Sequence, residues 1–222
     1  LLFFRLSCLL IRCREVVFEM VTGYFGLPGA GKTTFLTRIA QKELKRIVKG
    51  KSPYSHILTN FYCRGCEKIN YSELGNFEIS NSLILLDEIT LDADSRNFKQ
   101  FDSAHKEFFL LHRHYNCDVI YFTQQYDGVD KKIRDITSNL YFVKKHLFFS
   151  IATKIYRTLD INEFTKDIVQ GYRFANLFER FSKNVIQVCF RPKWYKYFDS
   201  WERPAPKPKF EYTEWSDSGT PT

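Results

Sequence analysis

Three groups of residues have the types and the spacing for chemistry on a phosphate group. A glycine-rich stretch from Gly26 to Thr34 contains a lysine and ends in two threonines. Asp87 and Glu88 directly follow one short apolar run, and Gln124 follows another. Backbone amides and an ammonium group bind phosphate oxygens, a hydroxyl and a carboxylate bind Mg²⁺, and a second carboxylate can activate a water. These residues therefore predict a site that binds a nucleoside triphosphate and hydrolyses it.

The glycine-rich stretch matches the Walker A pattern, Gly26-x-x-x-x-Gly31-Lys32-Thr33. Glycines let successive backbone N–H groups face a phosphate, and the N-terminus of the following helix adds its dipole. We expect Lys32 to reach the β- and γ-phosphates, Thr33 to ligate Mg²⁺ and Thr34 to contact an inner phosphate oxygen. The alternative is a glycine-rich turn with an incidental lysine. The predicted nucleotide-binding residues are Gly26, Leu27, Pro28, Gly29, Ala30, Gly31, Lys32, Thr33 and Thr34.

The stretch LILLDE, residues 83–88, has the form of a Walker B motif. Its four apolar residues predict a buried strand that ends at Asp87, where a carboxylate can hold Mg²⁺ opposite the phosphate loop. We expect Glu88 to align and deprotonate a water beside the γ-phosphate, which favours hydrolysis over transfer to an acceptor. Gln124, just past VIYFT, is a candidate sensor of the γ-phosphate. The alternative for the acid pair is a solvated acidic turn.

The segments that must position these residues alternate between apolar runs of strand length and amphipathic runs of helix length. This alternation predicts an α/β fold, a P-loop NTPase domain with a mainly parallel central sheet and helices on both faces. Extra C-terminal strands are expected at 150–161 and 184–190, with a helical turn or two between them, and 62–80 is expected to be a loop. The other predicted strands are 20–25, 56–61, 82–86, 118–123 and 139–144, and the predicted helices are 32–48, 98–115 and 130–137.

The composition favours a basic protein with reduced cysteines. The 222 residues carry a net charge of +8, which favours contact with polyanions, although a protein that is merely basic is an equal alternative. The six cysteines are scattered along the chain, so thiols are expected rather than a disulfide framework. Cys63 and Cys66 have the spacing of zinc ligands, but no second pair completes a tetrahedral site. We therefore expect a loop there, and no metal site beyond Mg²⁺.

The first and last segments of the chain differ from the rest. Residues 1–19 precede Met20, the only methionine, and we interpret them as an upstream extension that is not native. The alternative is a helix that lies on a membrane surface. A membrane span is not expected, because Arg5, Arg12 and Arg14 interrupt the apolar run. Residues 20–201 are interpreted as the P-loop domain and 202–222 as a flexible, Pro-rich tail.

Four motifs stand in a recognisable order: GLPGAGKTT, LILLDE, LLHRHYNCDVIYFTQQYDGVDKKIRD and RPKWYKYFDSWE. The first two are shared with many ATPases, and the last two contain the family-specific parts. From about Met20 to Trp201 the chain resembles the zonular occludens toxin (Zot)-like family, which includes assembly ATPases of filamentous phages allied to FtsK/HerA-type motors. The resemblance implies an ATP- and Mg²⁺-dependent ATPase that forms a homo-oligomer in the host cytoplasm, at the inner face of the inner membrane. It also implies single-stranded DNA or a phage DNA–protein complex as cargo and a membrane-embedded assembly partner. A polar tail stands here where such proteins usually carry a membrane span.

Oligomeric motors complete their site with an arginine from the next subunit. Arg113 and Arg134 are the candidates and Arg96 is a poorer third, and each has a purely structural role as its alternative. His112 and His114 would point apart on a helix, so we interpret them as surface or packing residues.

Two basic runs are candidates for single-stranded DNA, because cations meet phosphates while aromatic rings stack on bases. The alternative for the second run is a pair of strands with a buried aromatic face and a solvated basic face. The first run contains Lys131, Lys132, Arg134, Lys144 and Lys145, and the second contains Arg191, Lys193, Lys196 and Arg203 among Trp194, Tyr195, Tyr197 and Trp201.

Two other functions compete with a motor ATPase. A small phosphotransferase would need an acceptor pocket and an arginine-bearing lid, and the sequence shows no such lid. A partner module that binds nucleotide only to fix its shape would not need Glu88.

Overall fold

The structure, a computed structural model, describes residues 20–89, 103–161, 168–182 and 184–198. The expectations for 1–19, 202–222, Arg96, Trp201 and Arg203 lie outside these ranges, as does the start of the predicted helix 98–115. Within them lie the strands β1 (Val21–Phe25), β2 (His56–Thr59), β3 (Glu67–Lys68), β4 (Ser82–Leu86), β5 (Asp118–Thr123), β6 (Thr137–His146), β7 (Phe149–Ile161), β8 (Ile168–Phe174) and β9 (Ile186–Phe190). The α-helices are α1 (Lys32–Val48), α2 (Ser103–Leu111) and α3 (Lys131–Ile136).

All of these strands belong to one sheet, in the order β3-β2-β4-β5-β1-β6-β7-β8, with β9 also paired to β7. The strands from β3 to β6 in this order pair in parallel. The pairs that β7 forms with β6, β8 and β9 are antiparallel. Parallel strands present their carboxyl ends at the same edge of a sheet. The loops after β1, β4 and β5 therefore meet, and they carry the three groups of candidate residues.

Both faces of the parallel part are covered, as its apolar runs predict. Leu83 and Leu85 of β4 pack in a cluster with Phe35 and Leu36 of α1. The alternate residues of β4, Ile84 and Leu86, pack in a second cluster with Phe108 and Phe109 of α2 and Ile133 of α3. Because neighbouring side chains of a strand point to opposite faces, a strand buried on both sides is apolar throughout. All five residues of SLILL are buried, and four of them are leucine or isoleucine.

Several predicted boundaries are wrong. β2 ends at Thr59 rather than 61, and β3 lies in the segment predicted to be a loop. α2 ends at Leu111 rather than 115, because a turn follows in which Asn116 has a φ of 53° and Cys117 N donates to His112 O at 2.9 Å. β6 is longer than predicted because it pairs with β7 up to His146. None of the described helices is both long enough and apolar enough to cross a bilayer.

The largest differences lie beyond residue 161. A strand, β8, occupies part of the interval where only helical turns were expected, and the 3₁₀ turn Glu179–Phe181 follows it. The segment Arg191–Tyr197 is a 3₁₀ helix, so the alternative of a half-buried strand pair is wrong there. Both elements depend on distant partners: β8 pairs with the long strand β7, and the 3₁₀ helix packs against α1.

Candidate nucleotide-binding site

A cleft of about 430 Å³ opens where β1, β4 and β5 end. Most of its lining comes from the predicted phosphate loop, the acid pair and Gln124. A fourth contribution comes from the segment after β9, which the sequence did not assign to this site. The lining residues are Pro28, Gly29, Gly31, Lys32, Thr33, Thr34, Asp87, Glu88, Gln124, Arg191, Tyr195 and Phe198.

The phosphate loop is closely packed against the antiparallel part of the sheet, which explains its two Walker glycines. Gly31 has a φ of +85°, and a Cβ there would collide with Ser150 Oγ and lie 2.8 Å from Arg191 Cδ. A Cβ on Gly26 would lie 2.5 Å from Val143 O. Ser150 Oγ donates to Ala30 O at 2.6 Å, so β7 also holds the loop from its outer side. Side chains at either glycine would push the loop away from its support.

Lys32 lies inside the curve of the loop. Its ammonium group donates to Gly26 O at 3.1 Å, and its side chain is 9% exposed. Because the ammonium group is hydrogen-bonded to the carbonyl of the first loop residue, the lysine side chain crosses the space that a phosphate would occupy. The position agrees with the role predicted for Lys32.

Thr33 and Asp87 are in direct contact, because the Thr33 hydroxyl donates to Asp87 Oδ2. Burial raises the pKa of the Asp87 carboxyl, while the hydroxyl of Thr33 and the charge of Lys32 oppose that rise. A hydroxyl and a carboxylate at the mouth of a phosphate loop are oxygen ligands of the kind that Mg²⁺ prefers. Since a bound cation favours the ionised carboxylate, the residues present fit this ion.

Asn60, which follows β2, holds the backbone of Asp87 from both sides. Its Oδ1 accepts from Asp87 N at 2.7 Å, and its Nδ2 donates to Asp87 O at 2.9 Å. The sequence analysis missed this residue, although a polar side chain just past a strand neighbouring β4 could have indicated it. Asn60 is a positioning residue, because it orients the peptide that carries the carboxylate.

Glu88 links the ends of β4 and β5 to the phosphate loop. Its Oε1 accepts from Gln124 N at 3.2 Å, and its Oε2 lies 3.7 Å from Lys32 Nζ. Its φ is 53°, a left-handed conformation that non-glycine residues rarely adopt outside functional sites. A side chain that is 13% exposed does not fit the alternative of a solvated acidic turn. The carboxylate therefore lies between the phosphate loop and the end of β5, and its water-activating role stays a prediction.

The sequence profile of the zonular occludens toxin (Zot) family matches residues 31–178, more than half of the chain. The chain belongs to the Zot family. The matched segment contains Lys32, Asp87, Glu88 and Gln124, but it excludes Arg191. Its fold is that of a P-loop NTPase.

Several solved structures are similar to this Zot-family chain. The N-terminal domain of zonular occludens toxin from Neisseria meningitidis is 13% identical, with a TM-score of 0.45, over 73% of this chain and 97% of that one. The genome packaging NTPase B204 from Sulfolobus turreted icosahedral virus 2, solved with ATP-gammaS, is 8% identical, with a TM-score of 0.40, over 68% and 96%. The flagellar accessory protein FlaH from Methanocaldococcus jannaschii is 11% identical, with a TM-score of 0.38, over 61% and 77%. No curated protein matches the chain.

The two predicted arginine fingers lie outside the cleft of this Zot-family chain. Arg113 is exposed in the turn after α2. Arg134 lies in α3, where it donates to Asp127 Oδ1 at 3.2 Å and its guanidinium lies 5.7 Å from the centre of the Tyr126 ring. A finger from a neighbouring subunit would not line its own chain's cleft, so both assignments stay predictions.

The histidines near Arg113 differ from each other in burial. His112 is buried and its Nδ1 lies 2.7 Å from Phe109 O, whereas His114 is exposed. Both follow the end of α2, so they lie in a turn rather than on the helix that the sequence predicted. His112 is a packing residue and His114 a surface residue.

The Cys63–Cys66 segment is a turn, in which Cys66 N donates to Cys63 O at 3.0 Å. Gln41 of α1 donates to Arg64 O at 2.5 Å, and Cys63 forms a β-bridge with Phe198. In the part of the chain that the structure describes, no three His, Cys, Asp or Glu residues are close enough together to hold a metal ion. Among the described residues, Cys63, Cys66, Cys117 and Cys189 form no disulfide. The segment supports the wall of the cleft that contains Phe198.

The basic runs are distributed over separate surfaces. Lys144 and Lys145 are exposed near the turn between β6 and β7, and Lys131 and Lys132 are exposed on α3. In the second run Trp194 is buried in the core cluster of α1 and is closed to a base. Tyr195 is 49% exposed but lines the nucleotide cleft. The second run therefore presents fewer exposed rings than the sequence predicts, whereas the four lysines named from the first run are exposed.

Proposed function

We propose that this chain is an ATPase that couples ATP hydrolysis to filamentous phage assembly and to the export of single-stranded DNA at the host inner membrane. The observation that carries the ATPase part is the position of Glu88 between Lys32 and the Gln124 amide, beside the Thr33–Asp87 pair. Membership in the Zot family supports the phage-assembly part. We further propose that the chain works as a homo-oligomer at the cytoplasmic face of the membrane, with a membrane-embedded partner.

The residues of the cleft can bind the triphosphate and activate the attacking water. The loop amides and Lys32 bind the triphosphate, and Glu88 accepts a proton from the attacking water. The water oxygen then forms a bond to the γ-phosphorus while the bond to the β–γ bridging oxygen breaks, which releases ADP and phosphate. Mg²⁺ held by Thr33 and Asp87 would supply positive charge beside the β- and γ-phosphates.

Phosphate release from ATP and Mg²⁺, with no added acceptor, tests the reaction class. We expect steady turnover from the full chain, because Glu88 is placed to activate water. Turnover only in the presence of a small acceptor would support a phosphotransferase instead. Tight ATP binding without turnover, with or without single-stranded DNA, would support the non-hydrolysing module.

Binding to single-stranded DNA is expected to weaken steeply with salt, because lysines displace counterions from phosphates. Fluorescence anisotropy with a labelled oligothymidine should give a negative slope of log K against log salt, of about 0.7 for each phosphate contacted. Replacing Lys144 and Lys145 with Ala should weaken binding and reduce the slope. The matched control replaces Lys49 and Lys51, which are exposed just past the C-terminus of α1. No binding at low salt, or an equal effect in the control, would contradict the proposal.

A further inference from the structure

The 3₁₀ helix Arg191–Tyr197 forms a wall of the nucleotide cleft that is separate from the phosphate loop. Trp194 is 6% exposed and anchors it in the core cluster that contains Phe35 of α1. At its start Arg191 N donates to Phe148 O at 2.9 Å, and at its end Tyr197 O accepts from Arg64 N at 2.9 Å. The segment is thus held at its centre and at both ends, so its side chains have defined positions relative to the loop.

Arg191, at the start of this wall, packs directly on the phosphate loop. Its Cδ is 2.8 Å from the position that a Cβ on Gly31 would take, so its aliphatic stem packs on the loop. One guanidinium nitrogen, Nη2, donates to Leu147 O. Its Nε is buried and makes no hydrogen bond within the described ranges. An anion in the cleft would provide this acceptor only after the guanidinium turns towards it, because the atom itself is buried.

Arg191 also forms no ion pair with a carboxylate of the described residues. Among the described residues, ion pairs engage Arg46, Arg134 and Arg173, but none engages Arg191. A guanidinium that lines a cleft beside a phosphate loop, with no acidic partner, matches the planar oxygen pairs of a phosphate group.

The direction from which Arg191 approaches identifies the phosphate it would meet. Glu88 and Gln124 lie on the side of Lys32 where the γ-phosphate is expected. Arg191 comes instead from β9, whose Cys189 Sγ lies 4.0 Å from Thr34 O, and it packs on Gly31. Thr34 is the loop residue predicted to contact an inner phosphate oxygen. The guanidinium therefore faces the part of the nucleotide that ADP and ATP share.

We propose that Arg191 is a nucleotide-binding residue that contacts an inner phosphate of the nucleoside di- or triphosphate bound by its own chain. The proposal rests on the proposed function, because it concerns the same nucleotide site. It assigns to residues beyond the matched Zot segment a direct role in binding the ligand.

The test measures the affinity of the full chain for a fluorescent ADP analogue and, by competition, for ADP and ATP-gammaS. Arg191→Gln keeps a donor for Leu147 O but removes the charge and the planar fork. We expect it to raise both dissociation constants by a similar factor of roughly 10 or more, as the loss of a charge-assisted hydrogen bond predicts. Arg191→Lys should recover part of the affinity. Lys193→Gln is the matched control, because it removes the same charge from the exposed side of the same 3₁₀ helix.

The outcomes separate this proposal from the proposed function. If the wild type binds no nucleotide, or Lys32→Ala binds as well as the wild type, the site itself is wrong. If Lys32→Ala loses affinity while Arg191→Gln behaves like Lys193→Gln, only the role of Arg191 is overturned. A loss for ATP-gammaS alone would overturn the assignment to an inner phosphate. Thermal melting without ligand measures how much of the Arg191→Gln variant is folded. A reduced affinity of the folded molecules supports the proposal. A reduced affinity that unfolded protein fully explains overturns it.

Discussion

Replacing Glu88 with Gln should reduce ATP turnover by about 10²–10⁴-fold and leave ATP binding intact, because the chain loses its general base and keeps its shape. A glutamine carbonyl can still accept from Gln124 N, which Glu88 Oε1 does at 3.2 Å. The amide cannot accept a proton from water, so ATP should remain bound and unreacted. The measurement is phosphate release together with the fraction of ATP retained on the protein after gel filtration.

Glu78→Gln serves as the control for this change, because Glu78 is exposed and does not line the nucleotide cleft. Its turnover should equal that of the wild type. Turnover of Glu88→Gln within twofold of the wild type would show that another group activates the water. Loss of ATP binding in this variant would show instead that Glu88 supports the cleft structurally.

Lys32→Ala should lower the affinity for ATP by roughly 100-fold, which corresponds to about 3 kcal/mol, the scale of one strong or two modest charge-assisted hydrogen bonds. We expect the fold to persist, because the side chain bonds the loop rather than the core: its partners are Gly26 O and the carboxylate of Glu88. Isothermal titration with ATP and Mg²⁺ measures the affinity, and circular dichroism measures the fold.

Lys45→Ala is a suitable control for the lysine change, since Lys45 lies in the same helix but is exposed in its last turn. Its affinity for ATP should not change. Normal ATP binding and hydrolysis by Lys32→Ala would refute the assignment of the site.

The sequence predicted best those parts of the molecule whose structure depends on neighbouring residues. The buried runs of β1, β4 and β5 and the helix α1 could be recognised because strand and helix burial leave periodic patterns in the chain. Since parallel strands place their carboxyl ends together, the meeting of Lys32 with Asp87 and Glu88 also followed from the order of the motifs. The order of these motifs along the chain was therefore enough to predict most residues of the candidate site.

The parts that the sequence did not predict depend on pairing between distant segments. Nothing near Arg191 indicates Gly31 as its neighbour; the antiparallel pairing of β9 with β7 brings them together. β8 is recognisable only as the partner of β7, because its sequence IVQGYRF interrupts its apolar residues with polar ones and a glycine. Asn60 likewise acquires its role only when β2 lies beside β4.

The attachment of the 3₁₀ helix to the phosphate loop bears on how short a working version of this protein can be. The segment shared with the Zot family ends at residue 178, whereas Arg191, Tyr195 and Phe198 close one side of the cleft. A fragment trimmed to residues 31–178 would keep the lysine and both acids, but it would lose β1, Gly26 to Ala30 of the phosphate loop and this side of the cleft. The smallest unit for enzymology must therefore begin no later than β1 and extend through Phe198, because family boundaries drawn from similarity alone cut through the ligand site at both ends.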